Sequence, residues 1–484
     1  MKYRIMCWVV SLVLSIGTGV CLAQNLKQDT VLKAASEQYN TSFLGRFLMG
    51  SNYRDVWSTP VSMPVFRLSQ QGFTIKELGG GQQTKSLRMV DKNKREWVLR
   101  TVDKDAKGAV PEKFRMPLVV NFVQDMISAS HPYGALVVGE LARANDIIAA
   151  KPRLYFVPDD KDFGQYREIF ANTVCFLEQR EPTPDRSETE STGKIMEEII
   201  EENDHLILQE TVLKARLLDM LIGDWDRHAD QWRWGVVDLG ATKYYYAIPR
   251  DRDQAFFRAT GFVPRTIMLF GLKHMNGFKK KSKKLKNLNY KSWKFDKTFL
   301  NELDAHSWEK TIKDFQTRLS DMAIDSAVKK LPREIYALNG PELKDRLISR
   351  RNTLFENTMK YYRFIANTVD ISGTDEEEVF EIKQKDNKLN VAVYRLMGKK
   401  ERGRKIYDRT FDYDDTKFIN LDGFGGNDIF LIEENTTSKI KLKIAGGDGK
   451  DVYDLKGKMK TLVNDSLNDS DEIVNYQRAK INFR

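Results

Sequence analysis

LLDMLIGDWDRHADQWRWG, residues 217–235, decides how this chain is read. A hydrophobic stretch ends at Gly223, and Asp224, Asp226, Arg227, His228 and Asp230 follow it directly. Trp232 and Trp234 close the segment. A structural core does not need that cluster, and three acids at a helix end repel one another unless a cation lies among them. The choice is between a salt-bridged loop support and a reaction centre. Working outward, residues 193–203 and 206–222 carry helical periodicity, and Gly223 lets the chain turn sharply out of the second helix. Beyond the cluster, WRWGVVD and KYYYAIP flank Leu239-Gly240-Ala241-Thr242, which predicts a hairpin. Its second strand runs into Arg250-Asp251-Arg252-Asp253.

Further upstream, GFTIKELGGGQQTKSLRMVDKNKREWVLRTVDKD spans residues 72–105. Alternation through Ser86, Arg88 and Val90, then Trp97, Leu99 and Thr101, predicts two strands around a turn at Asp91–Lys94. Gly79, Gly80 and Gly81 stand just before the first. Helices are expected over 116–129 and 132–150, strands over 154–159 and 172–180, and REPTPDRSETESTG reads as a linker. Helical periodicity dominates 296–368.

In that order the elements make up a parts list for phosphoryl transfer from a nucleotide. Backbone N–H groups at a glycine turn can approach phosphate oxygens because no Cβ intervenes. A cation on the following strand neutralises those oxygens. One carboxylate orients the attacking hydroxyl, and another holds a divalent metal.

The loop GDWDRHADQ resembles the Asp-Arg-His catalytic loop of the lipid kinases and of the secreted Golgi kinases, atypical branches of the protein-kinase-like superfamily. It is also similar in layout to the HipA and CotH kinases. The resemblance implies that Asp226 is the catalytic aspartate and His228 its loop partner. It places Gln231 where the family has a metal-binding asparagine, and Asp251, or else Asp253, at the metal-holding aspartate. Arg100 takes the place of the nucleotide-contacting lysine, with Lys104 as a substitute, and Glu140 is the helix glutamate that would pair with that cation. Implied cofactors are Mg2+ or Mn2+ with ATP or another nucleotide. Whole segments, among them GSNYRDVWSTPV, GGGQQTKSLR, GDWDRH and IPRDRDQAFF, are similar to a family of large Bacteroidetes envelope proteins in which they precede an outer-membrane β-barrel. A barrel partner in the outer membrane is therefore expected. GDWD is also similar to the Gly-Asp-x-x-Asp motif of metallophosphoesterases, but its spacing is one residue short and the other motifs of that chemistry are missing.

Export fits the first residues. MKYRIMCWVVSLVLSIGTGVCLAQ has a basic start, an apolar middle and a small-residue site ending at Ala23, so residues 1–23 read as a signal peptide. Cys7 and Cys21 leave with it, and Cys175 alone can make no internal disulfide. The formal net charge of +10 falls by two on cleavage. The densest basic run, KKKSKKLK at 279–286, reads as a solvated loop, with anionic lipid or lipopolysaccharide as the functional alternative. Nucleic acid is excluded as a partner for an exported chain with no recognition motif.

The expected fold is α+β: a wrapping segment over 24–75, a small strand-rich lobe over 76–180, a helical catalytic lobe over 181–368, and an all-β domain over 369–484. In the last, GFGGND and GGDGKD would suit a Ca2+ ion, though plain turns between strands explain them as well. The expected function is an exported kinase, periplasmic or associated with the outer membrane. It would act on a hydroxyl of an envelope protein, lipid or glycan. The alternative is a catalytically silent kinase-like binding module, which Arg100 and Gln231 would favour.

Overall fold

A computed structural model describes residues 29–483 apart from 81–83, 186, 276, 283, 399–400 and 466–470. The signal peptide expected over 1–23 and Gly81 lie outside the described residues.

Five strands form the first large sheet: β1 (Thr74–Gly79), β2 (Ser86–Val90), β3 (Glu96–Thr101), β4 (Arg153–Val157) and β5 (Thr173–Gln179). They lie in the order β1-β2-β3-β5-β4, every pair antiparallel. Alternation divides the faces. Leu87, Met89, Leu99, Cys175 and Leu177 pack with Phe66, Tyr155, Phe163 and Phe170 on one side. Arg88, Val98, Arg100, Phe176 and Glu178 line a cavity on the other.

Residues before this sheet wrap onto the main core. Thr30–Lys33 pairs antiparallel with Val61–Pro64. Trp57 is fully buried, and its indole N–H donates to the Ser130 carbonyl at 3.0 Å. Arg54, equally buried, donates to the carbonyls of Gly50 and Tyr39 and to Asp125.

The core beyond is built around two helices, α1 (Gly134–Ala144) and α2 (Gln209–Ile222). From Ala215 to Ile222 every residue of α2 is buried, so the helix is surrounded on all sides. The expected hairpin forms from β6 (Trp232–Asp238) and β7 (Lys243–Pro249), in register from Asp238↔Lys243 to Trp232↔Pro249. Trp232 stacks on Phe295 at 4.7 Å and Trp234 lies against Phe299 at 4.8 Å, so both tryptophans are packing residues. The region expected to be helical thus also holds a sheet, because Glu190–Ser191 adds to β6 and His205–Ile207 to β7. The polar stretch from Arg180 to Gly193 is not the linker its composition suggests. The Arg180 carbonyl and Glu181 accept from Arg250, while Thr189 accepts from Arg233.

From Thr368 onward the chain winds. Strands β8 (Thr368–Ser372), β9 (Glu378–Lys385), β10 (Lys388–Met397), β11 (Glu401–Phe411), β12 (Phe418–Asp422) and β13 (Ile429–Ile432) come first. Strands β14 (Lys441–Ala445), β15 (Val452–Leu455), β16 (Thr461–Asp465), β17 (Glu472–Tyr476) and β18 (Ala479–Phe483) follow. One sheet has the order β8-β12-β14-β16-β18, all parallel. The other has the order β11-β10-β9-β13-β15-β17, parallel from β9 onward. From β12 the chain alternates between the two, so each strand's crossover is a strand of the facing sheet. Phe380, Phe430 and Tyr453 stack on one another between the sheets, at 4.6 and 5.3 Å. The junction is tied down: the Asp375 N–H donates to the Ile200 carbonyl at 2.7 Å, and Asn203 donates to Glu378 at 2.9 Å.

Candidate active site

The cluster after α2 is positioned by a buried charge network. Gly223 ends the helix at φ 73°, a left-handed conformation that suits glycine. Arg350 caps that end by donating to the carbonyls of Met220 and Leu221. Inside α2, the Asp219 carboxylate accepts from Arg216 at 2.8 Å, Arg227 at 3.0 Å and Arg252 at 2.8 Å. Burial pushes this carboxyl up, but the three guanidinium groups outweigh it and hold it below the ordinary range. Arg216 reaches on to Asp296, Asn289 and Ser292. Asp224, pushed up by burial against the pull of Arg227, accepts the Asp226 N–H at 3.1 Å. The loop is therefore fixed from beneath.

Above this network a cavity of about 350 Å³ opens between the face of the first sheet, α1 and the loop after β7. Its apolar part is lined by Val98, Val138, Ala149 and Phe176, its polar part by Arg100, Lys104, Gln231, Asp251 and Asp253. Gly80, at φ 120°, stands on its rim. Gly79 closes β1 with its Cα beside Ser86.

Both expected cations face both expected metal-holding acids. Arg100 donates to Asp251 at 2.8 Å, and Lys104 pairs with Asp253. Arg100 also pairs with Glu178 of β5, and these carboxylates, Glu178 first, raise the guanidinium further above its ordinary value. Glu140 does not take that part: on α1 it pairs with Arg143 and Lys330. Glu178 stands beside the cation instead, because β3–β5 pairing places Val98 opposite Glu178 and Arg100 opposite Phe176 on one face.

The hairpin brings Gln231 beside this pair, since the Arg250 N–H donates to the Gln231 carbonyl at 2.9 Å. The Gln231 side-chain oxygen is buried and has no hydrogen-bond partner among the described residues. Arg252 turns inward to Asp219, while Asp251, at φ 55°, and Asp253 face the cavity. A divalent cation suits the donor set of Gln231 Oε1 with the Asp251 and Asp253 carboxylates, because all three are hard oxygen ligands. Each acid is meanwhile held by its own cation.

Asp226 and His228 stand outside the cavity lining. Asp226 pairs with Lys291, whose ammonium also lies 5.3 Å from the Trp225 ring centre. The His228 ring is 3.5 Å from Asp230 and more than a third exposed. The residues that sequence reasoning missed are Glu178, Lys291 and the Asp219 network. Period-2 alternation in NTVCFLEQR put Glu178 on the face opposite Leu177, but its partner depends on long-range pairing.

No protein-family model matches the chain, and no curated protein does. Among solved structures it is similar to the proinflammatory kinase CtkA of Helicobacter pylori, at 11% identity and a TM-score of 0.33 over 62% of this chain and 99% of that one. It is also similar to HipA of Shewanella oneidensis, solved with HipB and operator DNA, at 10% identity and 0.29 over 57% and 66%. A third similar structure is the Golgi casein kinase, at 13% identity and 0.31 over 68% and 84%.

Proposed function

We propose that the chain is an exported kinase-like phosphotransferase whose cavity binds a nucleotide with a divalent metal and whose acceptor is a hydroxyl on an envelope protein, lipid or glycan. The observation that carries this reading is the arrangement at the polar end of the cavity. There Arg100–Asp251 and Lys104–Asp253 bridge the cleft beside the unpartnered Gln231 oxygen. Two cations and two acids that face each other across a ligand-sized space can exchange partners when a polyphosphate enters. Arg100 and Lys104 turn to phosphate oxygens, which leaves Asp251, Asp253 and Gln231 to hold Mg2+ or Mn2+. When bound, that metal would offset charge on the phosphate oxygens. Val98, Val138 and Phe176 offer the base an apolar surface.

Asp226 is the group for the acceptor. It is partly exposed beyond the cavity, so a hydroxyl on a large molecule can reach it from solvent while the donor lies within. Its carboxylate accepts the hydroxyl proton as the acceptor oxygen bonds to the terminal phosphorus. The bond from that phosphorus to the bridging oxygen breaks, and a nucleoside diphosphate leaves. Until then Asp226 is paired with Lys291.

A silent binding module is the second reading, favoured by one feature: Arg100 is already neutralised by two carboxylates and Lys104 by one. Calorimetry of the full chain with ATP, with and without Mg2+, separates the two when paired with a labelled-phosphate transfer assay on envelope fractions. Metal-dependent binding with transfer supports the enzyme, and binding without transfer supports the module. The export segment and an outer-membrane barrel partner belong to the same proposal, and N-terminal sequencing that finds Gln24 first would support export.

A further inference from the structure

At the far end of the C-terminal winding, Asp451, Asp465 and Asp471 each offer one carboxylate oxygen, and these atoms lie within 4.8 Å of one another. Among the described residues no other three acids, histidines or cysteines converge in this way. The cluster arises from a repeated device. Glu378, Asp428, Asp451 and Asp471 occupy one edge of successive turns. The Glu378 N–H donates to Asp428 at 2.8 Å, the Asp428 N–H to Asp451 at 2.8 Å, and the Asp451 N–H to Asp471 at 3.0 Å. Each of these three aspartates thereby uses one oxygen on the backbone of the preceding turn.

What the second oxygen meets differs along the series. In the first turn, Glu378 is fully capped: Asn203 and the Thr374 hydroxyl donate to one oxygen, the Thr374 N–H to the other. At Asp428 and at Asp451 no such donors exist among the described residues, and the Oδ2 of each is buried without a hydrogen-bond partner; the Asp451 Oδ2 belongs to a residue that is 0% exposed. That atom is aimed into the cluster, because a Cβ added at Gly446 would run into Asp451 Oδ2, Asp465 Oδ2 and the Tyr453 hydroxyl together. Glycine at 446 leaves open the space where these oxygens meet. A buried carboxylate oxygen without a donor is costly unless a cation stands beside it.

We propose that Asp451, Asp465 and Asp471 form a binding site for one hard divalent cation of the Ca2+ class. Every converging group is an oxygen, which selects against zinc and other metals that favour nitrogen or sulfur. Ca2+ accepts irregular sets of six to eight oxygens, whereas Mg2+ demands near-octahedral geometry and keeps its water. Asp471, only partly buried, gives the ion a route in and leaves room for water ligands. The site is separate from the nucleotide cleft and does not depend on the phosphotransfer reading.

The test uses the full-length chain stripped with EDTA and titrated calorimetrically with CaCl2 and, separately, MgCl2, beside thermal melts in each. Expected are one Ca2+ per chain, a Ca2+-dependent rise in the melting midpoint, and a markedly weaker response to Mg2+. Asp451→Asn keeps an oxygen for the Asp428 N–H but loses the charge, and should weaken Ca2+ binding by at least about tenfold, the loss of one charged ligand. Asp251→Asn, in the cleft, should leave that binding unchanged. If Asp451→Asn does not fold, Asp471→Asn at the margin of the cluster carries the same expectation. No Ca2+ binding, binding that survives both substitutions, binding lost in Asp251→Asn, or an equal response to Mg2+ would each overturn the proposal.

Discussion

Arg100 Nη1 stands 2.8 Å from Asp251 Oδ1, a contact that joins the third strand of the first sheet to the loop behind the hairpin. If the arginine exchanges this carboxylate for phosphate, Arg100→Ala should weaken nucleotide binding by about 1.5–3 kcal/mol, roughly ten- to a hundredfold. Calorimetry would measure it. A comparable loss in Lys104→Ala, with none in Arg100→Ala, would assign the phosphate contact to the lysine.

Asp219 holds three guanidinium groups that have no water to turn to. Asp219→Ala would leave Arg252 in the core without its carboxylate and remove one of the two carboxylates that hold each of Arg216 and Arg227, so unfolding by guanidinium chloride should show a loss of about 3–5 kcal/mol. A loss under about 1 kcal/mol, the size expected of exposed ion pairs, would contradict the account of the network.

His131 gives a pH dependence. Its ring is buried beside Tyr53 and Phe256, and Nδ1 accepts the Tyr133 N–H at 3.2 Å. Burial pushes its pKa down to about 4. The unfolded chain takes up this proton near pH 6.5, and the folded chain refuses it until about 4. The contribution is therefore fully present above pH 6.5 and is lost as pH falls toward 4. Between pH 7 and pH 5 it should amount to about 2 kcal/mol. Denaturant titrations at the two values would show it, and His131→Gln should flatten the difference. An equal pH dependence in the variant would place the effect elsewhere.

Phe430 lies between Phe380 and Tyr453 in the winding. Phe430→Ala removes the middle ring and should cost about 3–5 kcal/mol in the stability of this region. Thermal unfolding followed by tyrosine fluorescence would register it. An unchanged midpoint would show that the stack contributes little.

Local chemistry made some of this legible in the sequence. The helix end at Gly223 and the hairpin around Leu239–Thr242 follow from turn residues and alternation, and together they bring Gln231 next to Arg250 and Asp251. What stayed hidden depends on distant pairing. Glu178 reaches Arg100 only through strand register, and Lys291 sits beside a basic run that gives no sign of Asp226. Glu140 looked right because it lies on a helix, but α1 turns it toward Lys330. Arg180–Gly193 has a linker's composition, yet the Arg180 carbonyl, Glu181 and Thr189 are bound by Arg250 and Arg233. In the tail the Gly/Asp turns announced strands, but nothing in them stated that those strands run parallel from turn to turn.

The most direct measurement compares Asp251→Asn and Asp226→Asn with the unaltered chain, using nucleotide titrations with Mg2+ or Mn2+ and a labelled-phosphate transfer assay. Asp251 faces the cavity with Arg100, whereas Asp226 stands outside it with Lys291. Asp251→Asn should abolish metal-dependent binding, while Asp226→Asn should bind nucleotide nearly normally and transfer nothing. If neither substitution changes binding or transfer, and both only lower stability, the cluster is a structural support and the phosphotransfer claim is wrong.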